Sequence, residues 1–423
     1  MMTLKRSIAA CLPWIVSLAA CGGSGDGAGS GWAGTTRDSA GIAIVENSVD
    51  GVWTGDDRWR VHEIRRIGAT EGDSDYQFAQ ISGVAELSDG RIVVSDAQAQ
   101  RLQIFSPEGS HLRTIGGPGS GPGEFGVGAG PVLVGPGDSI YVPDISNQRL
   151  NRFTPEAEPA GSTAIDLASG FPVAWQDTPE GRLITQVRPF DLGGDAVGDD
   201  LILSLGTDGS PRDTLHSFPS GQTFQFSGGL PDLTLFSPEP IWSMTSSGGL
   251  VYGVNDDYEF RVYEGGELVR IVRRPFERRP VADEDETLMK EAMIRFLRDL
   301  GLPDQALDIM AERMDFAEHY PSYAFIRGGP EGSIWVQRFQ RPSDLSEEER
   351  RNFDPTLGFG SPIWDVFGAD GRYLGELAMP ERYQPLRVEG DRIYGVWRDE
   401  LDVQHILVLE LDRPRAGPAP ATN

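Results

Sequence analysis

The chain is poor in the residues that build disulfides, metal centres and nucleic-acid surfaces. Of its 423 residues two are cysteine, Cys11 and Cys21, and five are histidine, His62, His111, His216, His319 and His405, each standing alone. There is no His-x-x-x-His pair, no set of Cys ligands and no Gly-x-Ser-x-Gly elbow, which removes the usual zinc sites and the serine-hydrolase signature. Basic residues are scarce, with 37 Lys and Arg against 64 Asp and Glu. A field of that sign repels phosphate backbones and argues against nucleic acid as a partner; the acidity reads as a solubilising surface ahead of a site for a cationic ligand. Long apolar runs are lacking as well. The run from Ile8 to Ala20 is short and interrupted by Pro13, so it does not read as a membrane span.

What the chain has in quantity is repetition. Six times a turn residue is followed at once by a short apolar run: Gly90-Arg-Ile-Val-Val, Asp138-Ser-Ile-Tyr-Val, Gly181-Arg-Leu-Ile-Thr, Gly249-Leu-Val-Tyr-Gly, Gly332-Ser-Ile-Trp-Val and Asp391-Arg-Ile-Tyr-Gly. Stacked copies of one supersecondary unit bury apolar faces that no single copy can cover. The first two copies agree best, since Ile67, Asp96, Arg101 and Phe105 return at Ile115, Asp144, Arg149 and Phe153, a step of 48 residues. That period fits a four-stranded propeller blade. In the first unit Ser82 to Leu87, Arg91 to Ser95, Leu102 to Phe105 and His111 to Ile115 read as its four strands, parted by Gly, Pro, Asp and Ser.

The expected fold is therefore all-β, a six-bladed propeller of four-stranded blades. The sixth unit shows three strands, near Gln384 to Val388, Arg392 to Trp397 and Val403 to Leu411, before the aperiodic Arg413-Pro-Arg-Ala-Gly-Pro-Ala-Pro. The missing strand is expected from the other end, because Arg65-Arg-Ile-Gly68 echoes Arg113-Thr-Ile-Gly116 at the end of the first blade. An N-terminal strand from Trp59 to Ile67 would then complete the last blade and remove an open edge. Ile42 to Val45 reads as a further edge strand.

Between Arg65 and Phe153 the chain resembles the NHL repeat family. The resemblance is carried by Gly83-Val-Ala85, the Asp89-Gly90 turn, Val94-Ser-Asp96, the Arg101 to Phe105 strand and the glycine-rich link from Gly116 to Phe125. It implies a six-bladed propeller, a fold used by scaffolds, sensors and a few lyases and hydrolases. In later units Val187-Arg188 and Val336-Gln-Arg338 stand where the family has Asp, so only the fold carries over.

The N-terminus reads as an export signal. Lys5-Arg6 and the Ile8 to Ala20 run form its charged and apolar parts, over residues 1–20. Leu18-Ala-Ala-Cys21 resembles the bacterial lipobox, which implies lipidation of Cys21 after cleavage and a lipoprotein anchored in the cell envelope. Loss of Lys5 and Arg6 leaves 35 basic against 64 acidic residues, a formal charge of −29. Cys11 would be lost and Cys21 acylated, so no disulfide is expected. Residues 21–38, rich in Gly and Ser, read as lipidated Cys and flexible tether, residues 39–412 as the propeller, and 413–423 as a tail. Gly22 lacks the Asp that retains some lipoproteins at the inner membrane, which points to the outer membrane.

If strands run from the axis outward, connections between first and second and between third and fourth strands share one face, and they are uniformly short, as in Ser88-Asp-Gly90 or Ala369-Asp-Gly371. Every long insertion falls on the other face: Pro189 to Asp200, Pro219 to Pro240, Pro275 to Ser322 and Arg341 to Ser361. Long loops on a rigid scaffold favour that face for binding. Within residues 281–320, between the fourth and fifth blades, a helical hairpin is expected. Asp283 and Glu286 suggest a capping box, Leu288, Met289, Ala292, Met293, Phe296, Leu297 and Leu300 form one apolar stripe, and a second helix after Pro303 carries Leu307, Ile309, Met310, Met314 and Phe316. The hairpin either caps the mouth or covers a blade edge, and its methionines suit either core filling or an adaptable ligand surface.

Candidate site residues follow from these faces. Arg188, His319, Tyr320, Tyr323, Arg338 and Arg398 fall near the presumed mouth and form the candidate binding face. Asp96, Asp144, Asp256 and Asp399 end second strands there, as does Asn255, and oxygens from several blades suit calcium. The alternative is that Asp96 and Asp144 stabilise their own turns and pair with Arg101 and Arg149. The favoured function is a non-enzymatic binding lipoprotein for a protein, peptide or glycan, with no cofactor. The rival is a propeller enzyme, a lactonase-like hydrolase or lyase, using a divalent metal at the channel.

Overall fold

Each repeat forms one sheet because its apolar runs are just long enough to cross a blade and its Gly and Asp turns reverse the chain. In the computed structural model, residues 31–414 are described apart from 168–169, 190–197, 222–223, 228–229, 300, 352, 354 and 356–358. The segments read as signal peptide, Cys21 and most of the tail lie outside the described residues. Blade one comprises Ile81–Glu86, Ile92–Asp96, Arg101–Phe105 and His111–Gly116, antiparallel and in chain order. Its second strand is buried at every position and its fourth is largely exposed, the signature of a sheet packed on both faces near the axis and open at the rim.

Blades two to six repeat this pattern. Their second strands are Ile140–Asp144, Leu183–Arg188, Leu250–Val254, Ile334–Phe339 and Arg392–Arg398. Apolar clusters join every neighbouring pair. Blades one and two share Val93, Ile104, Val142 and Phe153; two and three share Tyr141, Leu150, Leu183 and Leu205; three and four share Ile184, Phe218, Trp242 and Tyr252. Four and five share Val251, Phe260, Val336 and Phe367; five and six share Trp335, Trp364, Ile393 and Leu409; six and one share Tyr394, Ile406, Val84 and Val94. The core is thus six inter-blade layers, each far below the size of one large core, and their sum stabilises the ring.

The last blade holds Tyr383–Glu389, Arg392–Arg398, Gln404–Asp412 and, as its outer strand, Arg60–Ile67. Ile67 pairs with Ile406 and Arg60 with Asp412. Ile42–Glu46 does form a strand, but on the fourth blade and not at an edge: it runs parallel to Glu267–Arg273 on one side and pairs antiparallel on the other with Thr35–Ser39, which is the edge. A strand begins at Thr35, within the residues 21–38 read as a tether. Asn47 anchors this excursion, donating to the carbonyls of Arg273 and Gly371 and accepting from the Tyr373 N–H.

The insertion between blades four and five contains α1 (Asp283–Asp299) and α2 (Asp304–Glu312). Two details depart from the sequence reading. The Ala282 carbonyl accepts from the Asp285 and Glu286 amides, so Asp283 lies inside the first turn and caps nothing. Met314 and Phe316 leave α2 for a short strand, Met314–Phe316, parallel to Leu230–Leu235, which itself pairs with Phe224–Ser227. An unpaired edge in the link between blades three and four recruits the residues that follow α2, a long-range contact that local periodicity does not show. Among the described residues no helix is long and apolar enough to cross a membrane.

Candidate functional site

The innermost strand of each blade faces the axis, so charged residues there interrupt an otherwise apolar or small-residue pattern for a reason. Asp177 ends the first strand of blade three and Arg387 lies on that of blade six, the opposite blade in the ring. Arg387 Nη1 donates to Asp177 Oδ1 over 2.9 Å and its Nε donates to Glu389, so an ion-pair strut spans the channel. The Val134 amide of blade two also donates to Asp177. Burial pushes the Glu389 carboxyl up from its ordinary value against the opposing pull of Arg387. On the short-turn side of the strut lies an axial cavity of about 1180 Å³, walled by the first strands of all six blades and rimmed by the turns at Ser88, Asp138, Gly181, Ser246, Pro330 and Asp391.

A second cavity, of about 730 Å³, lies on the loop-bearing face. Its roof is the hairpin, through Met289, Met293, Phe296, Leu297, Ile309 and Met310, and its floor is Ile241, Tyr323, Phe325 and Phe339 of blades four and five. The hairpin therefore lies over the boundary between these blades and encloses apolar space instead of filling it. Phe236, at the edge of this space, sits at a φ of 58°, a conformation unfavourable for a bulky residue. The aromatic rings of Phe316, Tyr320, Phe339 and Phe359 surround it within 6 Å. Polar groups are few, chiefly Ser237, Glu239 and Asn255.

One buried carboxyl group fastens the roof. Asp285 of α1 is fully buried and accepts from the Tyr320 hydroxyl, from the Ser343 amide at 2.6 Å and from the Ser343 hydroxyl at 3.0 Å. Burial and the hydrogen bond to Asp285 push the Tyr320 phenol up to about 12.

The residues proposed from sequence are mostly spent on structure. Tyr320 is this fastener, and Tyr323 is buried between blades four and five with its hydroxyl donating to the Glu259 carbonyl. Arg188 forms a bidentate pair with Asp200 at 2.9 and 3.0 Å, and Arg338 donates to Asp365 at 2.8 Å. Neither is free to meet a ligand. His319 is half-buried in an isolated bridge to Pro280. Two of the six line cavities: Tyr323 belongs to the floor of the apolar one, and Arg398, paired with Asp402 at 3.3 Å, lines a separate cavity between blades five and six. Of the calcium candidates, Asp96 accepts from the amides of Ala79, Gln80 and Ala99 beside Arg101, and Asp144 accepts from those of Gly126 and Asn147 beside Arg149. Asp256 pairs with Arg278, and Asp399 accepts from Thr70, Leu401 and Val403. Each serves its own blade, and among the described residues no three His, Cys, Asp or Glu side chains converge to hold a metal ion.

Blade three clarifies its departure from the repeat. In blades one and two Asp96 faces Arg101 and Asp144 faces Arg149 across the second and third strands. Arg188 and Asp200 end the same pair of strands with the charges exchanged, so the clasp survives where the motif is lost. What sequence reasoning missed, Asp177, Arg327, Arg387, Glu389 and the apolar cavity, involves residues brought together from different blades. The available signal was charge inside an innermost strand.

A sequence profile of the DUF5128 family, described as a 6-bladed beta-propeller, matches residues 70–183. No curated protein sequence matches the chain. Among solved structures it is similar to a member of the DUF4221 family from Bacteroides vulgatus, at 12% identity and a TM-score of 0.49 over 85% of this chain and 100% of that one. It is similar to a putative exported protein from Bacteroides fragilis, at 10% identity and a TM-score of 0.47 over 87% and 99%. A gluconolactonase from Xanthomonas campestris aligns at 12% identity and a TM-score of 0.41 over 79% and 87%. Profile and topology together identify a six-bladed β-propeller, and at such identities the solved neighbours carry no activity across.

Proposed function

We propose that the chain is a non-enzymatic lipoprotein of a bacterial cell envelope, anchored through Cys21 at the outer membrane, whose loop-bearing face receives an apolar segment of a protein or peptide partner. The observation that carries this reading is the cavity of about 730 Å³ beneath the hairpin, a size ordinary for ligand sites and lined by four methionine and phenylalanine side chains of α1 and α2. Unbranched methionines repack around different occupants. On the same face Val127, Phe171, Phe325 and Leu401 stand at 81%, 43%, 38% and 75% exposure, apolar area that water disfavours and a partner would cover. A glycan is a poorer fit to so few polar groups. The charge of −29 suits a partner with a basic rim around its apolar contact.

The test is titration with an environment-sensitive apolar dye, followed by displacement with peptides rich in Leu and Phe or with oligosaccharides. Saturable dye binding, displacement by the peptides alone and its loss in Met293→Glu and Phe325→Glu are expected. A wild-type protein that takes up no dye, or variants that take it up equally, would end this reading. The metal-dependent enzyme has no converging donor set among the described residues; stoichiometric metal in the purified protein would revive it.

A further inference from the structure

The axial cavity on the short-turn face belongs to no part of the hairpin reading. We infer that it is a binding site for a small oxyanion, a carboxylate or phosphate group, held by Arg327. Three guanidinium groups line the cavity, those of Arg327, Arg387 and Arg392. Arg387 is balanced by Asp177 and Glu389, and Arg392 donates to Glu86 at 2.6 Å. Arg327, on the innermost strand of blade five, has no carboxylate within ion-pairing distance among the described residues. Its Nη1 and Nη2 donate to the carbonyls of Leu386 and Pro385 at 2.6 and 3.0 Å, and its Nε–H is buried without an acceptor.

Two neutral carbonyls satisfy hydrogen bonds without neutralising charge. A guanidinium withdrawn from water and lacking a counter-charge is costly, and the cost falls when an anion supplies both charge and acceptors. Burial, with Arg387 adding repulsion, brings Arg327 down to about 10 from its ordinary value, and the group remains a cation at neutral pH. Each Nη carries a second N–H beyond the one given to a carbonyl, and carboxylate and phosphate oxygens match that donor set. The rim carries Asp138, Glu180 and Asp391, so the surrounding field repels anions in general and admission rests on the local pairing at Arg327. Enclosure by six strands limits the occupant to a small molecule. Its anionic group comes from a free acid, from inorganic phosphate or from an acidic or phosphorylated sugar, whose hydroxyls suit the side-chain amide of Gln176 on the wall.

The test is calorimetric titration and thermal unfolding of the full chain at fixed ionic strength, with acetate, inorganic phosphate, glucuronate and glucose 6-phosphate against chloride. At least one of the four is expected to bind saturably and raise the unfolding midpoint beyond the chloride control. A preference for the sugar acids over acetate and phosphate marks a sugar ligand, and the reverse marks a free anion. Arg327→Gln retains amide donors for the two carbonyls and is expected to weaken binding about tenfold or more. Glu389→Gln removes a carboxylate that competes for Arg387 and is expected to tighten binding roughly three- to tenfold, which keeps the test decisive if the Arg327 variant does not fold. Apolar-dye uptake at the hairpin stays unchanged in both variants. Absence of anion-specific binding in the wild type, or an Arg327→Gln or Glu389→Gln protein that binds as the wild type does, would overturn the assignment.

Discussion

The fastening of the hairpin by Asp285 can be put to a quantitative test. Its carboxyl group is withdrawn from water and receives three hydrogen bonds, one from Tyr320 and two from Ser343, which tie α1 to the segment entering blade five and to the loop leaving that blade's second strand. Asp285→Ala leaves a phenol, a hydroxyl and a backbone amide without their acceptor. Each orphaned donor costs about 1–3 kcal/mol where water cannot reach it, and partial rehydration brings the sum to about 3–5 kcal/mol. Asp285→Asn keeps one carbonyl acceptor and should cost about 1–2 kcal/mol. Because the hairpin is an insertion, the loss should appear locally, as faster amide hydrogen exchange in α1 and α2 while the blade strands keep their protection. The assay is exchange mass spectrometry alongside urea unfolding, with dye uptake as the readout of the cavity beneath. Unchanged exchange in residues 283–312 of Asp285→Ala would refute the reasoning, as would a uniform loss of protection throughout the ring.

Other predictions address the ring and its titration. A chain beginning at residue 31 should fold, whereas one beginning at residue 68 loses Arg60–Ile67, opens the edge of Gln404–Asp412 and should aggregate, as size-exclusion chromatography would show. Asp177→Ala leaves Arg387 with Glu389 alone and should lower stability by about 2–4 kcal/mol in urea unfolding; the triple variant Asp177→Leu, Arg387→Met, Glu389→Gln should recover most of it, because no desolvated charge of the cluster then remains. Tyr320, pushed up to about 12, stabilises the protein fully below the phenol's ordinary value near 10 and loses that contribution as pH rises from there through about 12. Tyr320→Phe should therefore flatten part of the alkaline fall in stability, and a wild-type profile identical to that of the variant would count against the bond.

The blades were legible because their information is local. A turn residue, a short apolar run and a period of 48 residues specify strands that pair with their immediate successors, and the echo of Arg113-Thr-Ile-Gly116 in Arg65-Arg-Ile-Gly68 marked the strand that pairs with Gln404–Asp412. Arg188 and Arg338 misled for the opposite reason. Each is a strand-end cation near a presumed mouth, and only the third strands, with Asp200 and Asp365, show that the charge is already used. Met314 and Phe316 continued a helical spacing until the edge of Leu230–Leu235 claimed them.

Repeat count, strand order and the face that carries the long loops were thus readable from spacing, since neighbouring strands are neighbours in the chain. Which charges meet across the axis, that Arg387 reaches Asp177 two hundred residues away while Arg327 is left with carbonyls alone, depends on how six sheets are placed around one centre. So does the apolar cavity under the hairpin. Cavities and opposed charges are properties of surfaces brought together by folding, and no periodicity along the chain encodes the distance between them.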